Sequence, residues 1–170
     1  MSKIGLYLGE SNFTGVDESD YFINIAYKNI KYFYALDANI FDIILLDKCI
    51  QKLENFYAIF DNSRRLLKNG GELIIAVPDY RLYEKCYWPS RLNSEHVHSF
   101  SININKEIVS RETHWNIEED LVPLLKKFNF MFNDVILDDN NFDYDKPVLI
   151  DQTKFGASCY IIVRCTLNKE

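Results

Sequence analysis

Clusters of basic residues are missing from this sequence. No run of Lys or Arg exceeds a pair, and 19 basic against 25 acidic residues leave a formal net charge of −6. Nucleic-acid binders usually carry a basic face, so the balance favours a small-molecule partner over DNA or RNA. Long apolar runs are also missing: no stretch is long enough to span a bilayer, and Met1-Ser2-Lys3 leads into an apolar segment too short for a signal-peptide core. The four cysteines, Cys49, Cys86, Cys159 and Cys165, form no Cys-x-x-Cys pair and no zinc spacing. They read as free thiols of a reducing, cytoplasmic compartment. Neither an internal repeat nor a low-complexity linker divides the chain. With 170 residues, 48% of them hydrophobic, it is expected to bury one core as a single domain over 1–170.

The residues that are present alternate between strand and helix signals. Ile4 to Leu8 reads as a short strand ending at Gly9, and Phe13 to Val16 as a second ending at Asp17. Ser19 or Asp20 is placed to cap a helix through Tyr27. Ile30 to Leu36 reads as a third strand ending at Asp37. Phe41 to Leu46 is a continuous apolar run, as in a strand buried on both faces. Phe56, Ile59, Phe60, Ser63 and Leu67 fall at helical spacing, with Arg64, Arg65 and Lys68 near the carboxyl end and Asn69-Gly70-Gly71 as the stop. Glu72 to Val77 is another buried strand, closed by Pro78. Residues 79–114 form an irregular excursion. Leu121, Leu124, Leu125 and Phe128 mark a second helix, capped either by Asn116 in a box with Glu119, which leaves Pro123 inside, or by Asp120. Phe130 to Leu137 and Ala157 to Leu167 read as two final strands. The alternation implies an α/β fold with a doubly wound, mostly parallel sheet.

The stretch from Phe41-Asp42 through Arg65-Leu66-Leu67-Lys68-Asn69-Gly70-Gly71 to Pro78-Asp79 resembles the centre of class I S-adenosylmethionine-dependent methyltransferases. The opening KIGLYLGESNFTGVDES is similar to a compact branch of that family. DYRLYEKCYWPSRLNSEHVHSFS and FDYDKPVLIDQT resemble segments of methyltransferases from surface-polysaccharide gene clusters. The resemblance implies a Rossmann-like methyltransferase fold, abbreviated at its N-terminus, with an antiparallel last strand. Residues 1–79 are then the cofactor half and 80–170 the acceptor-side half. It implies S-adenosylmethionine as cofactor, and as acceptor a small molecule, a sugar hydroxyl or amine in surface glycan biosynthesis. A homo-oligomer or a partner methyltransferase is compatible with it.

On that resemblance the cofactor residues are Gly9, Asp17, Asp37 and Asp47. A glycine at the first strand's end lets the cofactor approach the backbone, and a carboxylate ending the second strand can accept hydrogen bonds from ribose hydroxyls. His96 and His98 alternate, so in an extended segment they share a face. With Glu95 or Asp79 nearby, either is a candidate general base, since imidazole titrates near neutral pH. Two histidines without a clear carboxylate partner do not make a metal site. Asp79, Tyr80, Trp88, Arg91 and Asp151 are candidate acceptor contacts, and Tyr83 joins the aromatic residues able to stack on a sugar. The sequence departs from the family at Gly9-Glu10-Ser11, where a second glycine is replaced, and at Lys48 and Lys52, where histidines are usual, with Gln51 for a glutamate. Those departures keep open an alternative: a catalytically degenerate methyltransferase-like domain serving as a binding or assembly partner. A nucleotide or nucleotide-sugar enzyme on the same sheet is a third possibility.

Overall fold

The computed structural model describes residues 3–10, 21–102, 113–146 and 150–169. Six strands form one sheet in the order β2-β1-β3-β4-β8-β7. They are β1 (Ile4–Gly9), β2 (Tyr21–Ala26), β3 (Phe41–Asp47), β4 (Leu67–Pro78), β7 (Phe130–Asp138) and β8 (Tyr160–Leu167). All neighbours run parallel except β8, which is antiparallel to both β4 and β7. This is the α/β sheet with an antiparallel last strand that the sequence implies.

Two elements differ from the sequence reading. Tyr21–Ala26, expected as helix, is the strand paired to β1 from Ile4↔Tyr21 to Gly9↔Ala26. Its Tyr, Phe and two Ile suit a pleated surface better than a helix. Phe13 to Val16, expected as the second strand, and Asp17 lie outside the described residues. Ile30–Ala35, expected as strand, is the helix α1. Its apolar residues are not in strand alternation, for only Phe33 is buried. Asp37 therefore follows a helix and precedes β3, at the amino-terminal end of the sheet.

The helix α2 (Tyr57–Leu66) buries Ile59, Phe60, Ser63 and Leu66. It ends one residue earlier than its apolar spacing suggests, because Leu67 already pairs with Phe41. Arg65 closes this end: its guanidinium donates to the carbonyls of Leu36 at 2.7 Å and Tyr34 at 3.2 Å, tying α2 to α1. Gly70 takes a left-handed φ of 76° within β4, where the register to β3 slips. The 79–113 excursion carries β5 (Ser99–Ser101), parallel to β6 (His114–Asn116). A wide π turn, Ile117–Leu121, leads from β6 into α3 (Val122–Lys127). One buried cluster runs from Leu6 and Ile44 through Phe60 and Leu73 to Phe100, Leu125 and Val163.

Candidate functional site

In open α/β sheets a ligand sits outside the carboxyl ends of the strands, where strand order reverses. Here the reversal falls at β1, flanked by β2 on one side and β3 on the other. Gly9 and Asp47 end the two adjacent strands at this point, and Pro78 ends β4 beside them. A cleft of ≈ 430 Å³ opens there, lined by Lys48, Gln51, Tyr83, His96, Asp151 and Tyr160 among others. A hollow of ≈ 470 Å³ at the start of β7 lies at the opposite end of the sheet, and among the described residues no acid, histidine or cysteine lines it.

The turn off β3 builds one wall of the cleft. Lys48 has a left-handed φ of 50°, a conformation uncommon outside glycine that swings the chain away from the sheet. Its ammonium lies 3.9 Å from Asp47 Oδ2 and 4.5 Å from the centre of the Tyr160 ring. Gln51 is 1% exposed. Its backbone carbonyl accepts hydrogen bonds from the amides of Val97 at 2.8 Å and His98 at 3.0 Å, which pins the histidine-bearing loop. Its side-chain Oε1 is buried without a partner among the described residues. An unsatisfied buried oxygen at a cleft wall suits a ligand's hydrogen-bond donor.

The two histidines do not share a face. The chain turns through Asn93 to His96 and wraps the Gln51 carbonyl, so the two-residue repeat of an extended strand does not apply. His96 is buried, with Nδ1 2.6 Å from Glu84 Oε1, and it lines the cleft. His98 is placed apart, its ring 5.0 Å from Phe56 and its Nδ1 accepting from Trp115 Nε1 at 3.3 Å. The carboxylate beside His96 is therefore Glu84, which sequence reasoning missed. Glu95 instead holds Tyr27 Oη at 2.8 Å and Lys52 at 3.0 Å. Lys52 also pairs with Glu10 and lies 4.8 Å over the Tyr27 ring, so its charge is met by two carboxylates.

The expected acceptor contacts divide in the same way. Asp151 lines the cleft, its Oδ1 accepting from the Thr153 amide at 3.1 Å and hydroxyl at 2.6 Å. Asp79 is fully buried and works as a turn cap, accepting from the amides of Arg81 and Leu82. Tyr80 donates to the Cys86 carbonyl at 2.7 Å. Arg91 stacks 4.1 Å over Tyr87, away from the cleft lining, and Trp88 is not among the lining residues either. The aromatic groups that do line it are Tyr83 and Tyr160, whose hydroxyl pKa values are both pushed up by burial.

The cofactor positions are mixed. β2 ends at Ala26, level with Gly9, and Tyr27 and Lys28 follow, so Asp37 does not end the strand beside β1, while Asp17 lies outside the described residues. Gly9 and Asp47 stand at adjacent strand ends as expected. Tyr7 Oη donates to Asp47 Oδ2 at 2.7 Å, and a Cβ built on Gly9 would overlap the Tyr7 ring. The residues thus fit a nucleoside-bearing sulfonium once that ring moves: a glycine, a carboxylate and an adjoining cleft are in place.

No family model and no curated protein matches this sequence. Solved structures do. One is described as an S-adenosylmethionine-dependent methyltransferase from Listeria monocytogenes, with 13% identity, TM-score 0.58, and coverage of 99% of this chain and 91% of that one. An S-adenosylmethionine-dependent methyltransferase from Methanosarcina mazei is 12% identical with TM-score 0.55, over 99% of this chain and 94% of that one. A chain in the complex of a Haloferax volcanii methyltransferase activator with a methyltransferase is 11% identical with TM-score 0.54, over 98% and 83%. The fold is therefore the Rossmann-like fold of S-adenosylmethionine-dependent methyltransferases. At these identities the likeness is one of architecture.

Proposed function

We propose that the protein transfers the methyl group of S-adenosylmethionine to a hydroxyl or amine of a small acceptor, a sugar of a surface glycan. One observation carries the reading: His96, which lines the cleft beside the strand ends that hold the donor in this fold, is backed by the buried Glu84 carboxylate 2.6 Å from its Nδ1. The glycan acceptor rests on the resemblance of the 79–101 and 142–153 segments to enzymes of polysaccharide clusters.

When bound, the donor supplies an electrophilic methyl carbon on a positively charged sulfur. Gly9 and Asp47 are the residues placed to hold it. Glu84 accepts the Nδ1 proton of His96 and so fixes the ring's orientation and tautomer, leaving Nε2 to take the proton of the acceptor. Gln51 Oε1 and Asp151 offer acceptor oxygens that suit the remaining hydroxyls of a sugar, and Tyr83 and Tyr160 offer ring faces.

The test is transfer of labelled methyl to a panel of sugar acceptors by wild type and His96→Asn. Loss of a proton acceptor costs roughly 10²–10⁴ in turnover, and S-adenosylhomocysteine affinity, read by calorimetry, should not change. Equal turnover in the two proteins would remove His96 from the reaction.

A second reading, a non-catalytic binding domain, is favoured by Ala26 at the end of β2 and by the Tyr7 ring over Gly9. It predicts capture of a protein partner without any donor binding.

A further inference from the structure

We infer that Tyr7 is an internal latch on the donor crevice, and that donor binding requires its ring to leave Gly9 and its hydroxyl to leave Asp47. The inference rests on the donor reading above and adds to it the group that controls entry.

Tyr7 and Gly9 lie two residues apart on β1 and so face the same side of the sheet. The glycine at this point lacks a Cβ, and the space this frees is taken by the chain's own tyrosine rather than left open. The ring is 2% exposed, and its hydroxyl donates to Asp47 at 2.7 Å across the β1–β3 junction. Asp47 is held in turn by Lys48, and Lys48 by the face of Tyr160. On the β2 side, Lys52, Glu10, Glu95 and Tyr27 form a closed network over the ends of β1 and β2. The open cleft runs from Glu10, just past the end of β1, to Pro78, Tyr83 and Tyr160, and the Tyr7 ring occupies the space at Gly9 beside it.

A site that binds only in a minor, opened state loses affinity in proportion to that state's population. Removing the latch should restore it. Wild type, Tyr7→Phe and Tyr7→Ala are titrated with S-adenosylhomocysteine by calorimetry, with thermal melts as the control for folding. Tyr7→Phe keeps the ring and removes only the bond to Asp47, so it should bind about tenfold more tightly than wild type. Tyr7→Ala removes the ring as well and should gain roughly a hundredfold. Micromolar binding by wild type with no gain in either variant overturns the latch and leaves the donor reading standing. If neither folded variant binds up to millimolar ligand, the latch and the donor reading fall together.

Discussion

At the scale of single residues, Glu84 and His96 show how much depends on a side chain that no pattern flags. They are 12 positions apart in an irregular segment, where neither helical nor strand periodicity links them. The sequence marks His96 as a base candidate but offers Glu95 and Asp79 as its partners, because both are near in the chain or at a strand end. Packing decides otherwise: Glu95 neutralises Lys52, and Asp79 caps its own turn. Glu84→Gln keeps the shape and removes the charge that fixes the imidazole. Methyl transfer should fall at least tenfold, with S-adenosylhomocysteine affinity unchanged, because the ring's tautomer and orientation are no longer fixed. Unchanged transfer would mean that Glu84 only packs. The thiols offer a simpler check. Burial pushes Cys159 and Cys165 up to about 12, and pushes Cys49 up too, whereas Cys86 is exposed. A thiol reagent at pH 8 should therefore label one cysteine per native chain and all four after denaturation. Labelling of more than one in the native protein would show that the cluster around them opens readily.

At the scale of elements, the segment before α3 settles a choice the sequence leaves open. Asn116 is the cap: its side chain accepts from the amides of Glu118 and Glu119, at 3.0 and 3.1 Å. The reciprocal acid is Asp120, one residue beyond the Glu119 of a standard box, and it accepts from the Asn116 amide at 2.9 Å. The extra residue is taken up by the π turn, so Pro123 falls in the first turn of α3, where a missing N–H is harmless. Asn116→Ala should cost about 1–2 kcal/mol, read as a lower urea midpoint with an unchanged slope. Asp42 ties three strands: it accepts from the Ile4 amide at 2.9 Å and from Lys68 at 2.8 Å. These bonds, the amide first, hold its carboxyl below the usual value of 3.8. A lowered folded pKa contributes stability above the unfolded pKa that is lost as pH falls through the folded one. Its side chain is 30% exposed, so the effect is no more than about 1 kcal/mol. Asp42→Asn should flatten acid unfolding below pH 4 by that amount. β3, α2 and β4 were legible because their apolar runs are long and, for α2 and β4, bounded by Gly or Pro. Residues 21–35 were not, since short aromatic and isoleucine-rich stretches suit helix and strand alike until tertiary pairing decides.

At the scale of the whole molecule, the core does not respect a division into residues 1–79 and 80–170. β8, from the second half, pairs with β4 along its length, from Glu72↔Thr166 to Pro78↔Tyr160. The main buried cluster contains Leu6, Phe41 and Ile75 from one half and Phe100, Leu121 and Leu167 from the other. Residues 1–79 alone would expose the whole edge of β4 and lose the side chains that cover it, a combination that favours aggregation over folding. The full chain should thus unfold in one transition, with calorimetric and van't Hoff enthalpies equal within error, and the 1–79 fragment should show no cooperative melt. A van't Hoff enthalpy well below the calorimetric one, with far-ultraviolet and tyrosine signals melting apart, would mean that the acceptor half opens independently. In that case the cleft between Lys48, His96 and Asp151 would form only when the two halves close on each other, and donor affinity would be limited by that closure rather than by Tyr7 alone.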